Sequence, residues 1–270
     1  MQAITKERPE PGLIVKAVAE PQPGPHDVLI RVHHAGVCGT DLHIAEWDEW
    51  AQSRINPPVV VGHEFAGEVV DLGDEVGSEF SQGQLVTAEG HIVCGHCRQC
   101  RTGNSHICRR TQIIGVDRDG AFAQYIAMPA INVMPLGDIP TTVGAIMDPL
   151  GNAFHAVLSA HVSGSTVFVV GCGPIGCFAV GIARAAGAAR VIASDVNPIR
   201  LALAERMGAH ALLNPEKDDV VQRVYEETAG EGADIVCEMS GNARAIEGAL
   251  RGARAGGHVS LLGLPQGEVP

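Results

Sequence analysis

The sequence predicts an α/β protein in two parts, an irregular β-barrel-like domain followed by a doubly wound parallel sheet. Two observations carry that prediction. Up to about residue 142, short apolar stretches are broken at even intervals by Gly, Pro and Asp, the texture of many short strands closed by turns. Beyond it, apolar runs alternate with helical patterns, which is the grammar of βαβ units. The domains are accordingly expected at 1–145 and 146–270.

Strands are predicted at 28–32, 65–72, 84–88 and 122–128 in the first part. In the second, strands at 167–170, 191–194, 235–238 and 258–262 alternate with helices opening at Pro174, Asn197 and Asn242. The helix after Asn197 is the best marked: Asn197 can cap it, Pro198 suits its first position, and Ile199, Ala202, Leu203 and Met207 are expected to share one face. Residues 166–183 are apolar enough for a membrane span, but Gly and Pro cluster at their centre and no anchors flank them. A buried strand, a turn and a buried helix explain that run better.

The 270 residues carry 19 Lys plus Arg against 31 Asp plus Glu, a net charge of −12 with a pI near 5.4. Such a chain has no overall attraction for nucleic acid or an anionic membrane, so neither partner is expected. Hydrophobic residues at 46% exclude a solvated, disordered chain. The first ten residues lack the basic-then-apolar pattern of a signal peptide, which points to a cytoplasm and reduced thiols.

Three constellations carry chemistry. Gly171, Gly173 and Gly176 form G-C-G-P-I-G after an apolar strand and at the opening of a helix, with Asp195 ending the next strand. This is the Rossmann dinucleotide-binding pattern: glycines let the backbone approach a pyrophosphate, and the acid accepts bonds from ribose hydroxyls. Asp195 would repel a 2′-phosphate and so favours NAD over NADP, although nearby Arg200 weakens that inference. Cys94, Cys97, Cys100 and Cys108 follow Cys-x-x-Cys-x-x-Cys-x7-Cys, the closed four-thiolate set of a structural zinc; an iron–sulfur cluster or plain thiols are the alternatives. His91, His96 and His106 nearby are read as solvated loop residues. Cys38, His63 and Glu64 suit an open zinc site with a position left for substrate, though each taken singly is as easily a core thiol, a turn group and a solvated charge.

G-H-E-F-A-G-E-V-V, G-V-C-G-T-D-L-H, the four-Cys lobe and G-C-G-P-I-G together resemble the zinc-containing medium-chain alcohol dehydrogenases, in one register from Met1 to Pro270. Within that family, C-G-T-D-L-H-I-A-E-W-D-E-W-A, G-H-I-V-C-G-H-C-R-Q-C and D-P-L-G-N-A-F-H are similar to the branch acting on L-threonine, W-D-E-W being the most discriminating stretch. The resemblance implies a GroES-like first domain and a Rossmann second domain. It implies a catalytic zinc on Cys38, His63 and Glu64, a proton relay through Thr40 and His43, and Asp148 tuning that relay without being a firm ligand. It also implies that Ile175, Asp195 and Arg200 contact NAD, with Leu262, Gly263 and Leu264 at the nicotinamide end. The implied reaction is oxidation of the 3-hydroxyl of L-threonine, by two zinc ions per chain and NAD, in a homotetramer. A polyol or other secondary-alcohol dehydrogenase would use the same residues, and a non-catalytic zinc-binding chain is the reading from another class. Family members usually continue several dozen residues past the position of Pro270, so the second domain is expected to be incomplete, its sheet edge open and aggregation-prone and its turnover weak.

Overall fold

The computed structural model describes residues 1–265 and divides into two units, Met1–Asp148 and Pro149–Pro270. In the first, β1 (Gln2–Lys6), β2 (Ile14–Ala17) and β3 (Asp27–Gly36) lead into α1 (Gly39–Glu46) and α2 (Glu49–Arg54). There follow β4 (Val59–Val60), β5 (Glu64–Leu72), β6 (Leu85–Ala88), β7 (His91–Ile92), α3 (Arg98–Arg101) and β8 (Gln112–Ile113). The unit finishes with β9 (Tyr125–Pro129), β10 (Val133–Pro135) and α4 (Thr141–Gly144), and its boundary falls in the first turn of α5 (Met147–Leu158).

An antiparallel sheet in the order β10-β6-β5-β3-β9 forms the body of this unit, beside a smaller β2-β1-β4 sheet and the β7-β8 pair. Alternation sets its core: Val28 and Ile30 of β3 and Val69 of β5 point inward onto Phe65, Val86, Ile126 and Met128. The start of β5 departs from alternation, since Glu64 to Gly67 are all buried. That double burial takes Glu64 out of water. The strand predicted at 122–128 begins only at Tyr125, because Ala123 bridges to Ala3 and the Phe122 amide donates to Val61 O at 2.9 Å, tying this stretch to the smaller sheet.

The second unit is a parallel sheet in the order β13-β12-β11-β14-β15. Its elements are β11 (Thr166–Val170), α6 (Pro174–Ala185), β12 (Arg190–Ser194), α7 (Pro198–Arg206), β13 (Ala211–Leu213), α8 (Val220–Glu227), β14 (Ala233–Glu238), α9 (Ala243–Gly252) and β15 (Ala253–Leu261). The apolar run 166–183 is β11, its turn and most of α6; no helix among the described residues is long and apolar enough to cross a membrane. Asn197 caps α7 as expected, accepting from the Ile199 amide at 2.9 Å. The expected apolar face of α7 is corrected: Leu201 and Ala204 are buried with Met207 beside them, while Ile199 and Leu203 are 79% and 41% exposed. The i, i+3 spacing from Leu201 faces the sheet, and the larger side chains chosen from the sequence lie off that line. The last strand starts at Ala253 rather than 258, because α9 runs into it without a loop and Ala253 pairs with Ala233.

Gly176 lets α6 sit down on β11. A Cβ there would come within 1.9 Å of the Gly171 carbonyl oxygen, a backbone atom that cannot rotate away. Gly176→Ala should therefore lower stability by about 1–3 kcal/mol through overpacking, read as a reduced urea midpoint for the second unit's transition. An unchanged midpoint would show that α6 can shift outward at no cost.

Candidate active site

Cys38 lies in extended backbone (φ −90°) between β3 and α1 as the N-cap of α1. Its amide donates to Asp41 Oδ2 at 2.9 Å, and its Sγ lies 3.7 Å from Thr40 Oγ1. Glu64 opens β5 and His63 directly precedes it, and both are buried. Gly36, paired with Glu64 across β3 and β5, makes room for the carboxylate: a Cβ at Gly36 would stand 2.2 Å from Glu64 Oε2. One potential ligand atom from each of Cys38, His63 and Glu64 lies within 4.8 Å of the others.

This cluster is rich in acidic groups. Burial pushes the Glu64, Asp41 and Asp148 carboxyls above the usual range. Burial also opposes charge on His63, but hydrogen bonding to Cys38 and the fields of Cys38, Asp41 and Asp148 outweigh it and raise its pKa to about 9. His63 Nδ1 and Asp41 Oδ1 face each other at 3.9 Å, both buried and without a hydrogen-bond partner. A sulfur, an imidazole and a carboxylate in anionic surroundings fit a divalent zinc, with Asp41 as the outer carboxylate that orients the histidine. Asp41 escaped the sequence reading, although its place three residues after the N-cap, where a capping acid belongs, was available.

His43, on α1, is half-buried; its Nδ1 lies 2.5 Å from Asp48 Oδ2 and its ring 6.0 Å from that of Trp50. Asp148 groups with Glu89 and His91, each offering a ligand atom within 4.8 Å of the others, while its charge acts on His63. His91 is not the solvated loop residue expected: it sits on β7 and its Nδ1 pairs with Glu89 Oε1 at 2.6 Å. His96 is exposed, with its Nδ1 on the Cys94 carbonyl, and His106 is exposed in a short 3-10 turn.

The four cysteines around α3 converge. Sγ atoms of Cys97 and Cys100 lie 3.5 Å apart, Cys97 and Cys108 3.8 Å, and Cys94 and Cys108 3.5 Å, all far longer than a disulfide bond. A tetrahedron with metal–sulfur arms of about 2.3 Å has edges of about 3.8 Å, so these four thiols have the spacing of a closed zinc site. Backbone amides lower two of the thiols, that of Cys100 being foremost in holding Cys97 down to about 6 and those of Cys94 and Arg110 lowering Cys108, whereas burial pushes the Cys100 thiol up to about 12.

In the second unit, a cavity of about 560 Å³ is lined by Gly171, Gly173, Asp195, Arg200, Ser240 and Asn242 among others. Asp195 is buried just past β12; its Oδ2 accepts from the Cys172 amide and its Oδ1 from the Asn197 amide, each at 2.7 Å. Each oxygen keeps a lone pair for a ribose hydroxyl. Arg200 NH1 stands 3.8 Å from Asp195 Oδ2. Gly176 is buried under the turn, and Ile175 is half-buried against the core. Leu262 and Gly263 follow β15 with their amides on the Glu238 carbonyl at 2.9 and 3.2 Å, and Leu264 is exposed. Glu238 is fully buried and accepts from the Ser240 amide at 2.8 Å and the Gly241 amide at 3.2 Å, shaping one wall of this cavity.

Residues 24–138 match the family described as alcohol dehydrogenase GroES-like domain, and residues 174–270 match zinc-binding dehydrogenase. An L-threonine 3-dehydrogenase of Bacillus licheniformis is 51% identical over 100% of this chain and 78% of its own length. The chain belongs to the zinc-binding alcohol dehydrogenase family. Another relative, L-threonine 3-dehydrogenase of Bacillus subtilis, is 47% identical over 100% of this chain and 78% of its own. A putative zinc-binding dehydrogenase from Sinorhizobium meliloti, solved bound to NADP, superposes with a TM-score of 0.90 at 37% identity, covering 99% of this chain and 78% of that one. Galactitol-1-phosphate dehydrogenase from Escherichia coli superposes with a TM-score of 0.91 at 26% identity, over 100% of this chain and 77% of that one. Membership makes the protein an oxidoreductase of GroES-like and Rossmann-type domains.

Removing Asp41 should loosen the buried histidine without touching the sulfur lobe. Asp41→Ala is expected to weaken zinc retention at Cys38, His63 and Glu64 by 10–100-fold, the usual scale for an outer partner of a metal ligand. Competition against a graded set of chelators reads this directly, with the four-Cys site as the internal control. Equal losses at both sites would mean that Asp41 supports the fold alone.

Proposed function

We propose that this chain oxidises the 3-hydroxyl of L-threonine to 2-amino-3-oxobutanoate, passing hydride to NAD and releasing a proton. The observation that carries this reading is the Cys38, His63 and Glu64 cluster, standing in a chain 51% identical from end to end to an enzyme named for that reaction. Cys38, His63 and Glu64 would hold one zinc and Cys94, Cys97, Cys100 and Cys108 a second, two per chain. Zinc, when bound at the first site, supplies Lewis acidity that lowers the pKa of a substrate hydroxyl. NAD supplies the hydride acceptor.

The chain's own part is to hold and move. Thr40, whose Oγ1 lies 3.7 Å from the Cys38 sulfur, would take the proton of a hydroxyl bound at that cluster, and His43 would pass it to solvent. Asp148 adds negative field at His63 and so tunes the same proton transfer. Gly171, Gly173, Ile175 and Gly176 form the turn that receives the pyrophosphate, with Asp195 and Arg200 at the adenosine ribose and Leu262 to Leu264 at the nicotinamide. NAD is the proposed cofactor in preference to NADP because the Asp195 carboxylate would repel a 2′-phosphate. A homotetramer is proposed from the family resemblance. A cytoplasmic setting agrees with eight cysteines free of disulfides, and a net charge of −12 disfavours nucleic acid.

Reduction of NAD by zinc-loaded protein tests the substrate, with L-threonine set beside polyols and simple secondary alcohols. The highest kcat/KM should fall on L-threonine; a polyol leading the panel would move the reading to a polyol dehydrogenase, and no turnover with any alcohol would leave a zinc-binding chain without this activity. Elemental analysis should find two zinc ions per chain, with a mild chelator abolishing activity before it unfolds the protein.

Cofactor choice has its own check. Asp195→Ala should weaken NAD binding by about 1–3 kcal/mol, the worth of charge-assisted hydrogen bonds, and should narrow the gap to NADP. Wild-type protein preferring NADP would refute this role for Asp195.

A further inference from the structure

We propose that the Trp47-Asp48-Glu49-Trp50 turn is a clamp on His43, with Asp48 the positioning residue that assigns the ring's proton to Nδ1 and leaves Nε2 as the atom that exchanges protons. The proposal deepens, and rests on, the reading of His43 as a relay.

The turn reverses the chain sharply. Trp47 ends α1 with φ 58°, the left-handed region that a bulky residue rarely enters, and such a conformation persists only where its surroundings over-determine it. Here they do. The Trp47 amide closes on the His43 carbonyl at 3.0 Å, and the fully buried Lys6 holds its Nζ 4.8 Å from the Trp47 ring centre. That Nζ also donates to the carbonyls of Glu10 at 2.6 Å and Gly12 at 3.0 Å, so the lysine is itself fixed.

Reversal at Trp47 carries Asp48 back over α1. Its two oxygens then do different things: Oδ1 accepts from the Ala51 amide at 2.9 Å and caps α2, while Oδ2 meets His43 Nδ1 at 2.5 Å. The Ala51 amide first, and His43 with it, hold the Asp48 carboxyl below the usual range. Capping alone would be served as well by Asn or Ser. Oδ2 is the oxygen that reaches the histidine, and a neutral Asn or Ser cap would bring no charge there.

The chemistry follows from the donor inventory. An ionised carboxylate only accepts, so the single proton of a neutral imidazole must lie on the nitrogen facing it, and the other nitrogen keeps its lone pair. A proton arriving from Thr40 binds Nε2 and turns the ring into an imidazolium, which the adjacent carboxylate stabilises. The same proton then leaves from Nε2 to water, and the ring returns to its starting state. The ring of Trp50 flanks His43 at 55° and limits its rotation. In the other tautomer Nε2 would carry a hydrogen and could accept nothing.

Asp48→Asn isolates this role, because asparagine keeps the α2 cap through its oxygen while turning an amide N–H toward Nδ1. On zinc-loaded protein, kcat with L-threonine and NAD should fall by at least about 10²-fold, since the equivalent change in a carboxylate–histidine pair of a serine protease leaves geometry intact and costs about 10⁴. KM values and zinc content should stay as in the wild type. Nitrogen NMR of labelled histidine should report a His43 protonated at Nδ1 in the wild type and at Nε2 in the variant. In the His43→Ala background, Asp48→Asn should cost nothing further. A variant histidine still protonated at Nδ1, or losses that add in the double variant, would overturn the clamp. Should His43→Ala alone leave turnover unchanged, the relay reading falls, and the NMR comparison still decides whether Asp48 sets the tautomer.

Discussion

Burial of acidic groups around one histidine and one cysteine is the constraint on which the first unit turns. Glu64 and Asp41 are buried beside His63 and Cys38, Asp148 adds its field to the same histidine, and burial pushes all three carboxyls above the usual range. An arrangement of that kind is costly for a chain on its own and natural around a divalent cation. The local architecture serves it. The start of β5 is covered on both faces, Gly36 gives up a side chain opposite Glu64, and Asp41 holds the Cys38 amide at the start of α1.

The second unit solves a different problem with backbone rather than side chains. Its cavity opens at the carboxyl ends of parallel strands, where the turn after β11, the end of β12 and the loop after β14 come together. Ligands of doubly wound sheets bind in such crevices because free amides and small residues gather there. Buried acidic residues shape both sides: the Asp195 carboxylate ties the turn after β11 to the end of β12, and the Glu238 carboxylate gathers the loop after β14 while its backbone carbonyl accepts the amides that follow β15.

What the sequence disclosed divides along physical lines. Spaced motifs were legible, because G-C-G-P-I-G, the four cysteines and the capped helix at Asn197 each encode their geometry locally. The W-D-E-W stretch was legible as distinctive but mute as to purpose, since the meeting of Asp48 and His43 depends on a left-handed Trp47 that no spacing rule foretells. The face of α7 was misread because apolar residues lie on more than one side of it, and only contact with the sheet selects Leu201 and Ala204. His91 read as a solvated loop residue until β7 brought it beside Glu89 and Asp148. Short elements such as β13, three residues long, lack enough period to be seen at all.

The two amide bonds on Asp195 also bear on how such a protein could change over generations. One carboxylate both lines the cavity and staples the glycine turn to the neighbouring strand, so what the cavity accepts there and the local rigidity cannot vary independently. A lineage drifting toward a phosphorylated dinucleotide would lose the staple with the same substitution that removes the repulsion. Its first successful step would then be a compensating tie elsewhere in the turn, acquired while the original acid was still in place.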